Sequence, residues 1–335
     1  MSVIEGTIGL IVNPSAGRDS RRLVGSAVVS DNYAKRWAGV AVLEGVTAVE
    51  EPVEVLLMPD ETGIARRILE DAPEEVAVRT LDIPVQGSRK DTRMAAARLS
   101  QFADAVVVLG GDGTVRDVTM EAGDLPIAGI STGTNNVVPT YIDGTAAGLG
   151  AAVIATDGVD TGEVTYRHGT VRGVIEDQNG RREVMGLGTI GIIDQEFTGT
   201  RAILHGSDFV GGVVSRANAG DSGLSGMLGT LETMRPDVPG GIGARFSPPD
   251  EAPDAVRAIP VPGVVDRIGI AEQRDLADGE EMEFEIDRGV VSFDGERDVE
   301  VQDARIRLWP EGDGPRLVDF DALFEAATEA GCFDV

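Results

Sequence analysis

Through the first 155 positions, short apolar runs alternate with longer stretches in which apolar residues recur at helical spacing. The runs Thr7–Val12, Val53–Leu57, Val76–Leu81, Ala105–Leu109 and Ile127–Ile130 are predicted as strands. Ala105–Leu109 is continuously apolar and valine-rich, the mark of a strand buried on both faces. Helices are expected over Glu61–Glu70, Asp91–Phe102 and the alanine-rich Thr145–Ala155. Arg18–Val28 and Tyr33–Leu43 read as two further helices with a loop between them. Strands alternating with helices imply a parallel sheet covered on both sides.

After about Gly158 the rhythm changes to short segments: Glu163–His168, Thr170–Ile175, Glu183–Ile193, Val256–Val261, Met282–Ile286, Val290–Phe293 and Arg305–Leu308. Gln178-Asn179-Gly180 and Asp294-Gly295 sit between such runs as hairpin turns would. Gly211–Gly243 reads as loop with one short helix around Leu224–Met234, and Asp321–Ala330 as a final helix. The expected organisation is an α/β domain over 1–157, a mainly antiparallel β domain over 158–310, and a C-terminal segment, 311–335, whose helix is free to return to the first domain.

Composition narrows the function. Aromatics are only 4% of the chain, so the cores must be built from Val, Ile, Leu and Ala. The net charge is −28, and Lys35 and Lys90 are the only lysines. No basic stripe exists to displace counterions, which argues against nucleic acid and anionic membranes as partners. The acidic, lysine-poor surface fits a protein adapted to high salt, where the Debye length shrinks to ~3 Å at 1 M; an acidic mesophilic protein is the alternative. A melting series in KCl separates them: the salt-adapted reading expects stability to rise with KCl, and full stability in dilute buffer overturns it. Cys332 is the sole cysteine and His168 and His205 the sole histidines, so no disulfide, thiolate zinc site or Ser-His-Asp triad is expected. No positively charged segment precedes the first apolar stretch, and Glu5 interrupts it, so a cytoplasmic protein without a signal peptide is expected.

The candidate chemistry lies in three loops. Gly110-Gly111-Asp112-Gly113-Thr114 follows the buried strand and opens a helix. Glycines there allow backbone to approach a phosphate, and helix-start N–H groups favour the anion. Asp112 suits such a site if it contacts Mg²⁺ through water or accepts a proton from an attacking hydroxyl; the plain alternative is a residue near the helix cap in a tight turn. Asn13-Pro14-Ser15-Ala16-Gly17 ends the first strand, and Ser131-Thr132-Gly133-Thr134-Asn135-Asn136 ends the fifth. In a parallel sheet all three reach the same edge. No P-loop motif occurs, neither lysine is placed near a glycine loop, and local positive charge is sought in Arg18, Arg21, Arg22 and Arg116. A strict Gly-x-Gly-x-x-Gly after the first strand is also missing, which weakens a dehydrogenase reading.

At these motifs, with Val115-Arg116-Asp117, Val137-Val138-Pro139 and Thr145-Ala146-Ala147-Gly148 following, the chain resembles the NAD kinase / diacylglycerol kinase superfamily, and within it the acetoin-catabolism protein X type of ATP–NAD kinase-like proteins. The resemblance implies a Rossmann-like parallel-sheet domain and a β-sandwich domain with the active cleft between them. It implies Asp112 as the essential aspartate that activates a hydroxyl. Gly110, Gly111, Gly113 and Thr114 would form the phosphate loop, with Asn13, Gly17, Thr132, Gly133, Thr134, Asn135 and Asn136 completing the nucleotide site. ATP and Mg²⁺ are the implied cofactors, with no side-chain set singled out as metal ligands. The departures concern the acceptor. Where NAD kinases carry an Asn-Glu pair, this chain reads Ile193-Asp194-Gln195-Glu196, and Thr198-Gly199-Thr200-Arg201 stands for a missing Ser/Thr-Pro-Thr-Gly-Ser stretch. Asp294-Gly295-Glu296 matches a supporting motif of the lipid kinases in letters but is also a common hairpin turn.

The leading expectation is an ATP- or polyphosphate-dependent kinase of NAD, acting at the adenosine ribose 2′-hydroxyl. A kinase of another small hydroxylated metabolite and a non-catalytic nucleotide sensor stand as alternatives. A lipid acceptor is disfavoured by the lack of a basic face or large apolar patch. A homo-oligomer is compatible with the sequence.

Overall fold

The computed structural model describes residues 4–16, 31–132, 136–195 and 208–334. The helix expected over Arg18–Val28 lies outside them. The described residues divide into two compact units, those up to 166 together with 315–334 forming the first and those within 167–314 the second.

The first unit opens with β1 (Gly6–Val12), α1 (Asn32–Val46), β2 (Val53–Leu57), α2 (Ile64–Glu70), β3 (Ala77–Thr80), α3 (Arg89–Leu99), β4 (Ala105–Gly110), α4 (Asp112–Ala122), β5 (Ile127–Ser131), α5 (Gly144–Ala155) and β6 (Thr165–Arg167). β1, β2, β3, β4 and β5 pair in parallel. Alternate strand residues build one core: Ile8, Leu10 and Val12 of β1 meet Val55 and Leu57 of β2 and Val107 and Leu109 of β4 beneath α1, α2 and α5. The opposite face takes α3, whose Leu99 fills the space over Gly9.

α1 and α5 interlock through glycines. A Cβ added at Gly148 would lie 2.0 Å from the Val42 carbonyl oxygen, and one at Gly45 2.0 Å from that of Thr145. Backbone, not a flexible side chain, stands in the way. Gly148→Ala is therefore expected to lower stability by about 1–3 kcal/mol through forced separation of the helices, measured as a fall in the denaturant midpoint at unchanged slope. An unchanged midpoint would contradict the interlock.

Among the described residues the second unit is all but one element β: β7 (Thr170–Asp177), β8 (Gly180–Gly186), β9 (Thr189–Ile193), β10 (Phe209–Val214), α6 (Leu224–Gly229), β11 (Gly241–Ser247), β12 (Asp254–Val261), β13 (Val264–Leu276), β14 (Met282–Phe293) and β15 (Glu296–Glu311). These nine strands make one antiparallel sheet in the order β12-β13-β11-β10-β9-β14-β15-β7-β8. The sheet turns back on itself. Gly211 of β10 and Gly243 of β11 leave room for Phe284 and Met282 of β14, and the Arg245 guanidinium lies 4.6 Å over the Phe284 ring.

Several expected boundaries change here. Glu183–Ile193 is two strands, broken at Leu187–Gly188, whereas Met282–Ile286 and Val290–Phe293 are one, because Arg288 keeps its ladder pairing with Gln302. Gly211–Gly243, expected as loop around a helix, contains most of β10 and the start of β11. β13 has no counterpart among the expected strands, because charged residues break its apolar alternation: Glu272, Arg274 and Asp275 are exposed on it.

The chain ends with β16 (Arg316–Val318) and α7 (Phe320–Glu329), which belong to the first unit. β16 pairs in parallel with β5, giving the sheet order β3-β2-β1-β4-β5-β16-β6, and Leu323 of α7 packs over Gly150 of α5. No helix among the described residues is long and apolar enough to cross a membrane.

Candidate functional site

The strand order fixes where a ligand can enter the first unit. From β1 the chain runs through α1 to β2 on one side, and from β4 it runs through α4 to β5 on the other. The crevice beyond the carboxyl ends of β1 and β4 is thus a topological switch point, where open α/β sheets bind ligands.

β4 ends at Gly110, Gly111 is extended (φ −109°, ψ −174°), and α4 begins at once with Asp112. No side chain caps this helix start. Backbone closes its first turn instead, with Thr114 N donating to the Gly111 carbonyl at 2.9 Å and Val115 N to the same oxygen at 3.1 Å. Gly111 and Gly113 are partly exposed while Asp112, Thr114 and Val115 are buried, so backbone is the accessible part of this loop. Gly110 is required by packing, since a Cβ there would lie 2.5 Å from that of Thr114.

Hydrogen bonds tie the three loops together. Asn13 Nδ2 donates to Thr114 Oγ1 at 2.8 Å, its Oδ1 accepts from Ser15 N at 2.8 Å, and its own N–H donates to the Leu109 carbonyl at 3.1 Å. Asp112 is only 5% exposed. Its Oδ1 accepts from Val138 N at 2.9 Å, and Val137 N donates to Oδ1 at 3.1 Å and Oδ2 at 3.0 Å. Thr132 N donates to the Gly110 carbonyl at 2.9 Å, and Asn136 Nδ2 to Ser131 Oγ at 2.7 Å. The Thr132 hydroxyl is 95% buried by residue and has no hydrogen-bond partner among the described residues, a costly state for a polar group unless something occupies the site beside it. Asn13, Gly110, Asp112, Thr114, Thr132 and Asn136 thus form one connected set. Gly17, Gly133, Thr134 and Asn135 lie outside the described residues, as do Arg18, Arg21 and Arg22. Arg116 is buried on α4, next to Asp117, which pairs with Arg93 at 2.8 Å.

Lys35 corrects the sequence reading, which placed neither lysine near a glycine loop. It is fully buried, and its Nζ donates to the carbonyls of Asn13 (3.0 Å), Pro14 (3.3 Å) and Ala16 (2.6 Å). A helix that follows a parallel strand starts at that strand's carboxyl end, so the first turn of α1 comes back to the loop despite the residues between. The available signal was compositional: a lysine buried in a chain that otherwise avoids lysine.

In the second unit, Asp294 and Gly295 have positive φ (51° and 79°) in the β14–β15 hairpin turn, the conformation that Asp-Gly favours. The turn is not the residue's whole part. The Asp294 carboxylate accepts from Leu187 N and Gly188 N at 2.8 Å and Thr189 N at 3.1 Å, which explains the break between β8 and β9. Asp194 is exposed with its N–H on the Asp208 carbonyl, and Gln195 Nε2 donates to Asp208 Oδ2 at 3.4 Å. Glu196 and Thr198–Arg201 lie outside the described residues, as does His205.

Comparison with known proteins agrees with this architecture. The ATP-NAD kinase N-terminal domain model matches residues 8–155, and the acetoin catabolism protein X C-terminal domain model matches residues 174–311. Acetoin catabolism protein X of Cupriavidus necator is 33% identical over 307 residues, covering 88% of this chain and 85% of that protein. The crystal structure of yeast NADH kinase complexed with NADH aligns over 93% of this chain and 83% of its own with a TM-score of 0.52 at 13% identity, a likeness of fold. A diacylglycerol kinase of Bacillus anthracis aligns over 95% and 98% with a TM-score of 0.39 at 14% identity. At 33% identity to the Cupriavidus necator protein over 88% of its own length, the chain belongs to the acetoin catabolism protein X family.

Proposed function

We propose that this protein transfers a phosphoryl group from ATP, or from a polyphosphate, to the adenosine ribose 2′-hydroxyl of NAD. The observation that carries the reading is the single network at the β1/β4 switch point. Asn13 from one loop holds Thr114 of the glycine loop, and Asp112 of the glycine loop holds the backbone of Val137 and Val138. In this reading the amides of Gly111 and Gly113 face the phosphates, the Thr132 hydroxyl finds its missing partner in the bound nucleotide, and Asp112 accepts the proton of the attacking hydroxyl. Phosphoryl transfer asks mainly for positioning and charge stabilisation, which such a loop cluster supplies. Among the described residues no group of three or more Asp, Glu, His or Cys side chains could hold a metal ion. In this reading Mg²⁺ accompanies the ATP phosphates and neutralises their charge.

One observation favours a second reading. The Asp112 carboxylate already serves two backbone amides, which is the work of a structural anchor. In that case the fold would bind nucleotide as a sensor without turnover. The test is NADP formation by purified protein in concentrated KCl with MgCl₂, ATP and NAD. NADP production supports the kinase reading. Nucleotide binding without turnover on any acceptor supports the sensor, and ADP release with a different alcohol moves the acceptor away from NAD.

A further inference from the structure

A lysine with no exposed surface is expensive. Its ammonium loses its hydration shell and must recover the loss from fixed acceptors. Lys35 recovers it from three backbone carbonyls of one four-residue stretch, those of Asn13, Pro14 and Ala16. Each of these carbonyl oxygens is an acceptor that an ammonium N–H can use. Carbonyl dipoles with their oxygens turned to one point repel one another, and a positive charge at that point offsets the repulsion.

The same stretch reaches the glycine loop. Asn13, whose carbonyl Lys35 holds at 3.0 Å, uses its side-chain amide to grip Thr114 Oγ1 at 2.8 Å. Thr114 is buried in the first turn of α4, directly over Gly110. The helix carrying Lys35 is itself firmly seated: Asp31 caps it by accepting from Ala34 N at 2.8 Å, and Gly45 and Gly39 let it pack closely against α5 and Ile68.

We propose that Lys35 is a positioning residue: its buried ammonium gathers the carbonyls of Asn13, Pro14 and Ala16 so that the first loop stands at the height where Asn13 locks the start of α4 for phosphate binding. The inference rests on the proposed nucleotide site and names a residue that sets it. Lys35 touches no substrate in this scheme. It acts through Asn13 and Thr114. Turning carbonyl dipoles inward also removes their negative ends from the crevice, where they would oppose an anion in a chain of net charge −28.

The test uses the full chain in concentrated KCl and measures binding of ATP and of adenosine. Lys35→Ala deletes four side-chain atoms that n-propylammonium can replace, with 1-propanol as the uncharged control. ATP affinity is expected to fall about 100-fold in Lys35→Ala, the order of loss that one missing hydrogen bond to a charged phosphate produces. Adenosine affinity, which owes nothing to the phosphate loops, is expected to stay within a few-fold. Propylammonium should restore ATP binding and propanol should not. ATP binding by Lys35→Ala at wild-type strength overturns the inference, as does equal rescue by propanol. Should Lys35→Ala fail to fold, Lys35→Met keeps the packed stem without the charge, and wild-type ATP affinity there overturns it equally. Wild-type protein that binds no ATP would instead remove the nucleotide-site reading, and this inference with it.

Discussion

On the proposed kinase reaction, Asp112→Asn is expected to reduce NADP formation by about 10²–10⁴-fold, the range general-base catalysis contributes. The amide cannot accept the hydroxyl proton, though its size and one acceptor oxygen are kept. The carboxylate also holds the backbone amides of Val137 and Val138, so the loss of a base has to be told apart from the loss of an anchor. The two roles separate in the measurement. A base shows its loss in kcat, with ATP dissociation constant and melting temperature nearly unchanged. An anchor shows the reverse, because losing a charge-assisted hydrogen bond to a buried amide costs about 1.5–3 kcal/mol and loosens the loop. Unchanged kcat together with weakened ATP binding would remove Asp112 from the chemistry.

Acid will destabilise this protein through one histidine in particular. His168 is fully buried, with Nδ1 2.6 Å from the Gly169 carbonyl oxygen. Burial, reinforced by the nearby Arg216 charge, lowers its pKa to about 4, against the opposing pull of the Gly169 hydrogen bond and Asp237. The sign follows from the direction. Above the unfolded value of about 6.5, the ring is neutral in both states and costs nothing. As pH falls through that value the unfolded chain takes up a proton that the fold refuses, so stability drops until the folded ring titrates near 4. The accumulated loss is about 3 kcal/mol. Urea midpoints measured from pH 7.5 to 4.5 should fall more steeply for the wild type than for His168→Gln, which carries no such proton. Carboxylates titrate in both chains, so only the difference in slope counts. Parallel curves would show that the ring charges freely in the fold.

Much of this architecture was legible from residue order. The continuous apolar run Ala105–Leu109 can hide both its faces only between two layers, so a parallel sheet covered on each side followed from it. The three loops at the ends of β1, β4 and β5 followed from parallel topology, since every strand's carboxyl end then lies on one edge. Asp294-Gly295 was readable as a hairpin because few other pairs accept positive φ at both positions. β13 was not readable. Its exposed positions mix both signs of charge, Arg267, Glu272, Arg274 and Asp275, and these charged residues conceal the alternation a strand normally displays. For the same reason Asp287 and Arg288 looked like a gap in β14 where the ladder in fact runs through.

What the sequence determined alone was therefore periodicity, turn chemistry and the set of loops sharing an edge, because these depend on neighbours along the chain. What the tertiary structure decided was who holds whom. Lys35 reaches the loop it grips by α1 returning to the end of β1, Asp112 reaches Val137 and Val138 across two strand ends, and Asp294 binds Leu187, Gly188 and Thr189 more than a hundred residues away. A buried ion or carboxylate is tolerable only where several partners converge, and convergence is a property of the packed fold that no local pattern records.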